Sequence, residues 1–266
     1  MRRSGDGVCE REAELNFSLC DFTGRCKPST LLRIGADLAG EDYRLRGLPH
    51  DRLWAEGFMF LVSRARFHLR RNIRAEERVR LGTYERCVSG PFCMRDYTID
   101  DASGERIVSG RSAWILCNPQ TRRIVRPKSF PHPLETHTDL PLDCGDPERL
   151  RLPEGMAPAG ERPVVYSDLD GNGHVNNAVY ADMACDVLPA ALFEGELRDF
   201  SINFVQEARL GDRIALFSAE AQGTSFVAGY VEDALCFECA LTFQYGAEAL
   251  RRADRGARLD DYFIHP

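Results

Sequence analysis

Residues Ser167–Tyr180 read "SDLDGNGHVNNAVY" and set Asp168, Asp170, Asn172, His174, Asn176 and Asn177 close together before the chain turns apolar. Ala178, Val179, Met183, Ala184, Val187 and Leu188 then fall at helical spacing, and Pro189 stops the pattern. Asn176 or Asn177 suits the N-cap of that helix. A capped turn needs one such residue and one glycine, so it leaves Asp170, Asn172 and His174 unexplained. Asp168, Asp170, Asn172 and Gly173 also match the first half of a calcium-binding loop. Its twelfth position requires a bidentate Glu and here is Val179, and Pro163 interrupts any preceding helix. The reading that uses every residue is a catalytic site at a helix N-terminus. Unpaired N–H groups there can hold an oxyanion. Carboxylate, amide and imidazole beside them can position and activate a water. With no nucleophile in the stretch beyond Ser167, the chemistry suggested is hydrolysis by water.

The 266-residue chain has room for one large domain or two small ones, and its net charge of −7 argues against general nucleic-acid binding. No stretch approaches the roughly 20 apolar residues of a membrane span. The opening "MRRSGDGVCEREAELNF" has no apolar core, so a cytoplasmic protein is expected. Cys236 and Cys239 form a CxxC, but the surrounding alternation predicts a strand, where positions three apart face opposite ways. Thiols in small core sites are expected rather than a metal site.

The chain repeats itself. Laid without gaps, "CDFTGRCKPSTLL" (20–32) under "SDLDGNGHVNNAV" (167–179) pairs Asp21 with Asp168 and Gly24 with Gly171. In that register Thr23 faces Asp170, Arg25 faces Asn172 and Lys27 faces His174. A second helix is expected after it, with Leu31, Ile34 and Leu38 as its apolar stripe. "FHLRRNIRAEERV" (67–79) aligns with "INFVQEARLGDRI" (202–214), which sets Asn72 opposite Glu207. Residues 95–116 parallel 226–245, each as two strands joined by a turn. Each half is therefore one helix followed by antiparallel strands, and the Pro-rich stretch between them marks a linker.

The stretch from Ser167 to Tyr180 closely resembles the S-D-L-D-x-N-x-H-V-N-N-x-x-Y signature of acyl-carrier-protein thioesterases. With the degenerate first copy and the linker, the resemblance runs from about Leu15 to Tyr245. It implies an α+β tandem (double) hotdog, each module an antiparallel sheet wrapped around a long central helix. The expected limits are 1–118 for the first module, 119–160 for the linker and 161–266 for the module carrying the motif. The implied activity is hydrolysis of the thioester of a fatty acyl chain on acyl carrier protein, within fatty acid biosynthesis, with no metal or organic cofactor. The motif's acid, Asn and His fall on Asp170, Asn172 and His174, and a downstream Glu, expected on the next strand, falls on Glu207. Plant members commonly carry Cys after that Glu; here it is Ala208, which excludes an acyl-cysteine route at that position. Plant members also carry a transit peptide, so the resemblance points to a bacterial-type cytoplasmic enzyme. Glu207 is expected to deprotonate the water and His174 to orient it, with Asp170 as base the main variant. The N–H groups near Val175 and Asn176 are expected to stabilise the oxyanion.

An acidic carrier with its phosphopantetheine would need a local basic face on this acidic protein. Arg64, Arg66, His68 and Arg70 alternate with apolar residues along one predicted strand face, and Arg122, Arg123, Arg126 and Lys128 form a second basic run. An acyl-CoA thioesterase and a non-catalytic acyl-carrier-binding protein are the alternatives, and a homodimer stays open.

Overall fold

Apolar alternation over most of the chain, broken by Gly and Asp turns, produces a strand-rich protein with antiparallel pairing and few helices. A computed structural model describes residues 1–5 and 7–246; residues 247–266 of the expected second module lie outside the described residues. In chain order the strands are β1 (Arg2–Arg3), β2 (Cys9–Glu14), β3 (Met59–Leu69), β4 (Arg78–Ser89), β5 (Phe92–Asp101) and β6 (Arg106–Cys117). They continue with β7 (Ala157–Pro163), β8 (Glu196–Phe204), β9 (Arg213–Ala221), β10 (Thr224–Val231) and β11 (Ala234–Gln244). The α-helices are α1 (Pro28–Leu45), α2 (His50–Ala55) and α3 (Asn177–Asp186).

The chain divides into two compact units, each drawn from three segments: 1–14, 32–68 and 77–148 in the first, 15–31, 69–76 and 149–266 in the second. In the first unit the strands run β1-β2-β4-β5-β6-β3. Gly35 of α1 faces the Tyr97 ring of β5, and a Cβ there would meet the ring at 3.3 Å. In the second unit the order is β8-β11-β10-β9-β7, and α3 lies against β10 and β11. β7 begins at Ala157, inside the 119–160 stretch expected to be linker, and pairs with β9.

The first unit buries charge. Asp42 of α1 and Glu85 of β4 lie with Arg95 of β5 in its interior. Arg95 Nη2 reaches Asp42 Oδ2 at 2.9 Å and Glu85 Oε1 at 3.6 Å. Arg3 Nε and Cys9 Sγ both donate to Asp42 Oδ1 at 3.1 Å, and Tyr43 donates to Glu85 at 2.5 Å. Burial alone would raise the Asp42 carboxyl, but Arg95 and the hydrogen bonds from Cys9, Arg95 and Arg3 hold it below its ordinary value.

α3 spans ten residues, so the second helix is short where a long one was expected. Asn176 is its N-cap and accepts from the Ala178 N–H at 2.9 Å. Ala178, Val179, Met183 and Ala184 are buried as the spacing predicted, whereas Val187 is the C-cap and Leu188 lies beyond it. Cys236 and Cys239 are both buried in β11. Among the described residues no group of three or more His, Cys, Asp or Glu is placed to hold a metal ion.

Candidate active site

The opening stretch folds into a tight turn at the start of α3. The Asp170 N–H donates to His174 O at 2.9 Å and the Gly173 N–H donates to Asp170 O at 3.0 Å. Gly173 takes φ +78°, a left-handed conformation that favours glycine. Leu169 and Val175 pair across the turn, and His174 pairs with Arg209 on the loop between β8 and β9. That loop carries Glu207. The acid expected on a strand therefore lies three residues past the end of β8, because the chain must leave the sheet to reach the turn.

The geometry brings the four polar residues together in two pairs. His174 Nε2 lies 3.2 Å from Glu207 Oε2, and their side chains are 15% and 36% exposed. The histidine is thus shielded, and the carboxylate stays open enough to meet water. Asp170 accepts the Asn172 N–H at 2.8 Å, and the Asn172 side-chain amide approaches its other oxygen at 3.4 Å. Asp168 has a different task. It is buried, takes Arg162 Nη2 at 2.7 Å and the Val165 N–H at 2.9 Å, and so pins the strand entering the turn.

The expected oxyanion donors are otherwise engaged. The Val175 N–H donates to Ala208 O at 3.0 Å and the Asn176 N–H donates to Asp168 O at 2.8 Å. Both amides are used to close the turn, so neither is available to a substrate. Of the basic residues, Arg64 and Arg66 on β3 and Arg122 and Arg123 after β6 belong to the first unit. Arg64 stacks over Phe92 at 5.2 Å, and Arg70 lies beyond the end of β3 rather than in line with the other two.

The first copy of the turn corrects the repeat register by two residues. Asp21 N–H donates to Arg25 O at 2.8 Å, Gly24 N–H donates to Asp21 O at 2.9 Å, and Gly24 has φ +73°. Asp21 therefore matches Asp170, Thr23 matches Asn172, Gly24 matches Gly173 and Arg25 matches His174. Cys26 N–H donates to Ile73 O as Val175 donates to Ala208 O, so Asn72 stands opposite Glu207 as the sequence suggested. The ungapped alignment erred because residues 168–173 contain two overlapping D-x-x-G frames, and only the second makes this turn.

In the first copy the two substituted positions hold backbone. Arg25 Nη1 donates to Phe193 O at 2.6 Å and Gly195 O at 2.9 Å, and Nη2 pairs with Glu196 at 3.0 Å. Asn72 donates to Leu197 O at 2.7 Å and accepts the Leu197 N–H at 3.2 Å. Arg25→Ala is expected to lower stability in urea unfolding by about 2 kcal/mol, the scale of hydrogen bonds from a charged group, while sparing turnover. A turnover loss as large as that of His174→Ala would make the first copy part of the chemistry.

The model of the acyl-ACP thioesterase N-terminal domain matches residues 7–129, and that of the C-terminal domain matches residues 158–248. The chain belongs to the acyl-ACP thioesterase family. Among curated relatives, oleoyl-acyl carrier protein thioesterase 2 of Arabidopsis thaliana is 29% identical over 135 residues, 44% of this chain and 35% of the relative. Dodecanoyl-[acyl-carrier-protein] hydrolase of Cinnamomum camphora is 25% identical over 177 residues, 63% of this chain and 45% of the relative. The chain thus spans less than half the length of these two relatives. A solved acyl-ACP thioesterase from Bacteroides thetaiotaomicron superposes with a TM-score of 0.82 at 23% identity, covering 89% of this chain and 98% of that one. The 12:0-ACP thioesterase of Umbellularia californica gives 0.73 at 15% identity, covering 89% and 97%. At these identities the superpositions speak for a shared acyl-ACP thioesterase fold.

Proposed function

We propose that this protein hydrolyses the thioester between a fatty acyl chain and acyl carrier protein, releasing the free acid. The observation that carries this reading is the 3.2 Å approach of His174 Nε2 to Glu207 Oε2, beside the Asp170–Asn172 pair at the start of α3. Glu207 takes a proton from a water as its oxygen attacks the thioester carbonyl carbon. The tetrahedral intermediate collapses, the C–S bond breaks, and the proton passes to the leaving sulfur. His174 holds Glu207 and orients the water; Asp170 and Asn172 fix the turn that presents His174. With Val175 and Asn176 engaged, the Asn177 N–H is the amide assigned to the oxyanion. It opens α3, where no carbonyl four residues back within the helix can accept it. Ala208 follows Glu207, so the reaction runs without an acyl-cysteine at that position.

The same reading takes the architecture as a tandem hotdog, with modules within 1–118 and 161–266 joined through 119–160. The family's separate N- and C-terminal domain matches and the repeated turn support it. The test is a series of acyl chain lengths presented on acyl carrier protein and on coenzyme A, with free thiol and fatty acid measured. Faster release from the carrier across the series is expected. Equal or faster release from coenzyme A assigns the other substrate class, and no release from either overturns the hydrolase.

A further inference from the structure

We infer that Tyr180 is a positioning residue of the reaction: its hydroxyl, by accepting the Ala208 N–H, sets the distance between Glu207 and His174. The inference rests on the hydrolase reading above. Tyr180 is the last residue of the opening stretch, and its sequence neighbours give it no polar task. In the fold it is 2% exposed on α3, with its ring 5.1 Å from that of Phe237 and 6.1 Å from that of Phe204. Its hydroxyl lies 2.9 Å from the Ala208 nitrogen.

Ala208 is fully buried and is held at both ends of its backbone. Its N–H goes to the helix through Tyr180, and its carbonyl takes the Val175 N–H at 3.0 Å. One residue before Ala208 is Glu207; one residue before Val175 is His174. The two reacting side chains therefore hang from adjacent positions on one hydrogen-bonded bridge. The first copy has Pro28–Leu45 as its helix and Ile73 in place of Ala208, and there the bridge carries Arg25 and Asn72 instead. Without the phenol oxygen, the Ala208 N–H would be a buried donor with no acceptor, and the loop would move to find one. A shift of about 1 Å at a catalytic group can cost on the order of 100-fold in rate.

The experiment compares Tyr180→Phe with Phe237→Leu in the full chain, using the acyl-carrier assay. Tyr180→Phe keeps the ring and removes the acceptor; Phe237→Leu loosens the packing and keeps the hydrogen bond. For Tyr180→Phe we expect kcat to fall about 100-fold with KM little changed, and the acid limb of the kcat–pH profile, the side that reports an essential base, to move. For Phe237→Leu we expect a lower melting temperature with that limb unmoved. Native kcat and an unmoved limb in Tyr180→Phe overturn the inference, as do equal displacements of the limb in both variants. Amide exchange at Ala208, read by NMR on the native protein, decides the matter if Tyr180→Phe does not fold. Protection supports the tether, and exchange at the rate of an exposed loop overturns it. If the native protein hydrolyses no thioester, the function reading fails by itself. The tether is then judged by the His174 ring signals across a pH series in both proteins, where a difference supports it and identity overturns it.

Discussion

Glu207→Gln is expected to lower kcat by about 100- to 10,000-fold, the usual worth of general-base assistance, and to leave KM little changed. The substitution keeps the side chain's shape and one hydrogen-bonding oxygen toward His174 Nε2, which lies 3.2 Å away in the native protein. Under the proposed mechanism it removes the carboxylate that would accept the proton from water. The change is confined to one oxygen of one side chain, so the loss is expected to fall on the chemical step rather than on binding. Asp170→Asn is also expected to lower kcat, because Asp170 accepts the Asn172 N–H within the turn that presents His174. The double variant is expected to lose little more than the worse single one, since groups that act as a unit are lost together. Steady-state kinetics on one acyl-carrier substrate measure all three. If Glu207→Gln keeps near-native turnover while Asp170→Asn is inactive, Asp170 is the base. If both stay active, the chemistry lies outside this turn.

Asp42→Ala is expected to destabilise the protein by about 3–5 kcal/mol, the cost of removing one partner from a buried ion pair. Arg95 is 3% exposed, and its closest carboxylate is Asp42 at 2.9 Å, with Glu85 at 3.6 Å. The variant leaves Arg95 with the more distant acid only, and it leaves the Arg3 and Cys9 donors without their acceptor. Urea unfolding of the native and variant proteins measures the gap, and a difference below about 1 kcal/mol, the scale of a surface pair, would contradict the account. The pH dependence has a definite sign. The folded Asp42 carboxyl titrates below its ordinary value, so its stabilisation is fully present above the ordinary aspartate range near about 3.9. It is lost as pH falls through the folded value. The gap between native and Asp42→Ala therefore narrows in acid and stays constant at neutral pH.

The sequence by itself determined the strand-rich plan of this protein and the family to which it belongs. Period-two strands, the helical stripe from Ala178 and the repeated turn are local patterns that report which face of each element is buried. Asp170, Asn172 and His174 stood out as candidates because a turn and a helix cap need none of them in that density, and Glu207 joined them through the family resemblance. The first copy, which lacks the His and the Glu, supplied the contrast.

What the sequence left open depends on which frame of a polar run closes a turn, and on where backbone hydrogen bonds go. Two D-x-x-G frames overlap in 168–173, and composition cannot choose between them. The choice falls to the glycine that takes positive φ, Gly173, and with it Arg25 rather than Lys27 becomes the counterpart of His174. The same limit hid the engagement of Val175 and Asn176. An amide at a helix start looks available until the fold supplies Ala208 O and Asp168 O within 3.0 Å. It hid Tyr180 as well, because a phenol 28 residues from its partner declares no role until α3 and the β8–β9 loop meet. Side-chain identity is written in the chain, but a donor's partner is fixed only when distant segments pack, because an unpaired polar group is costly only once it is buried.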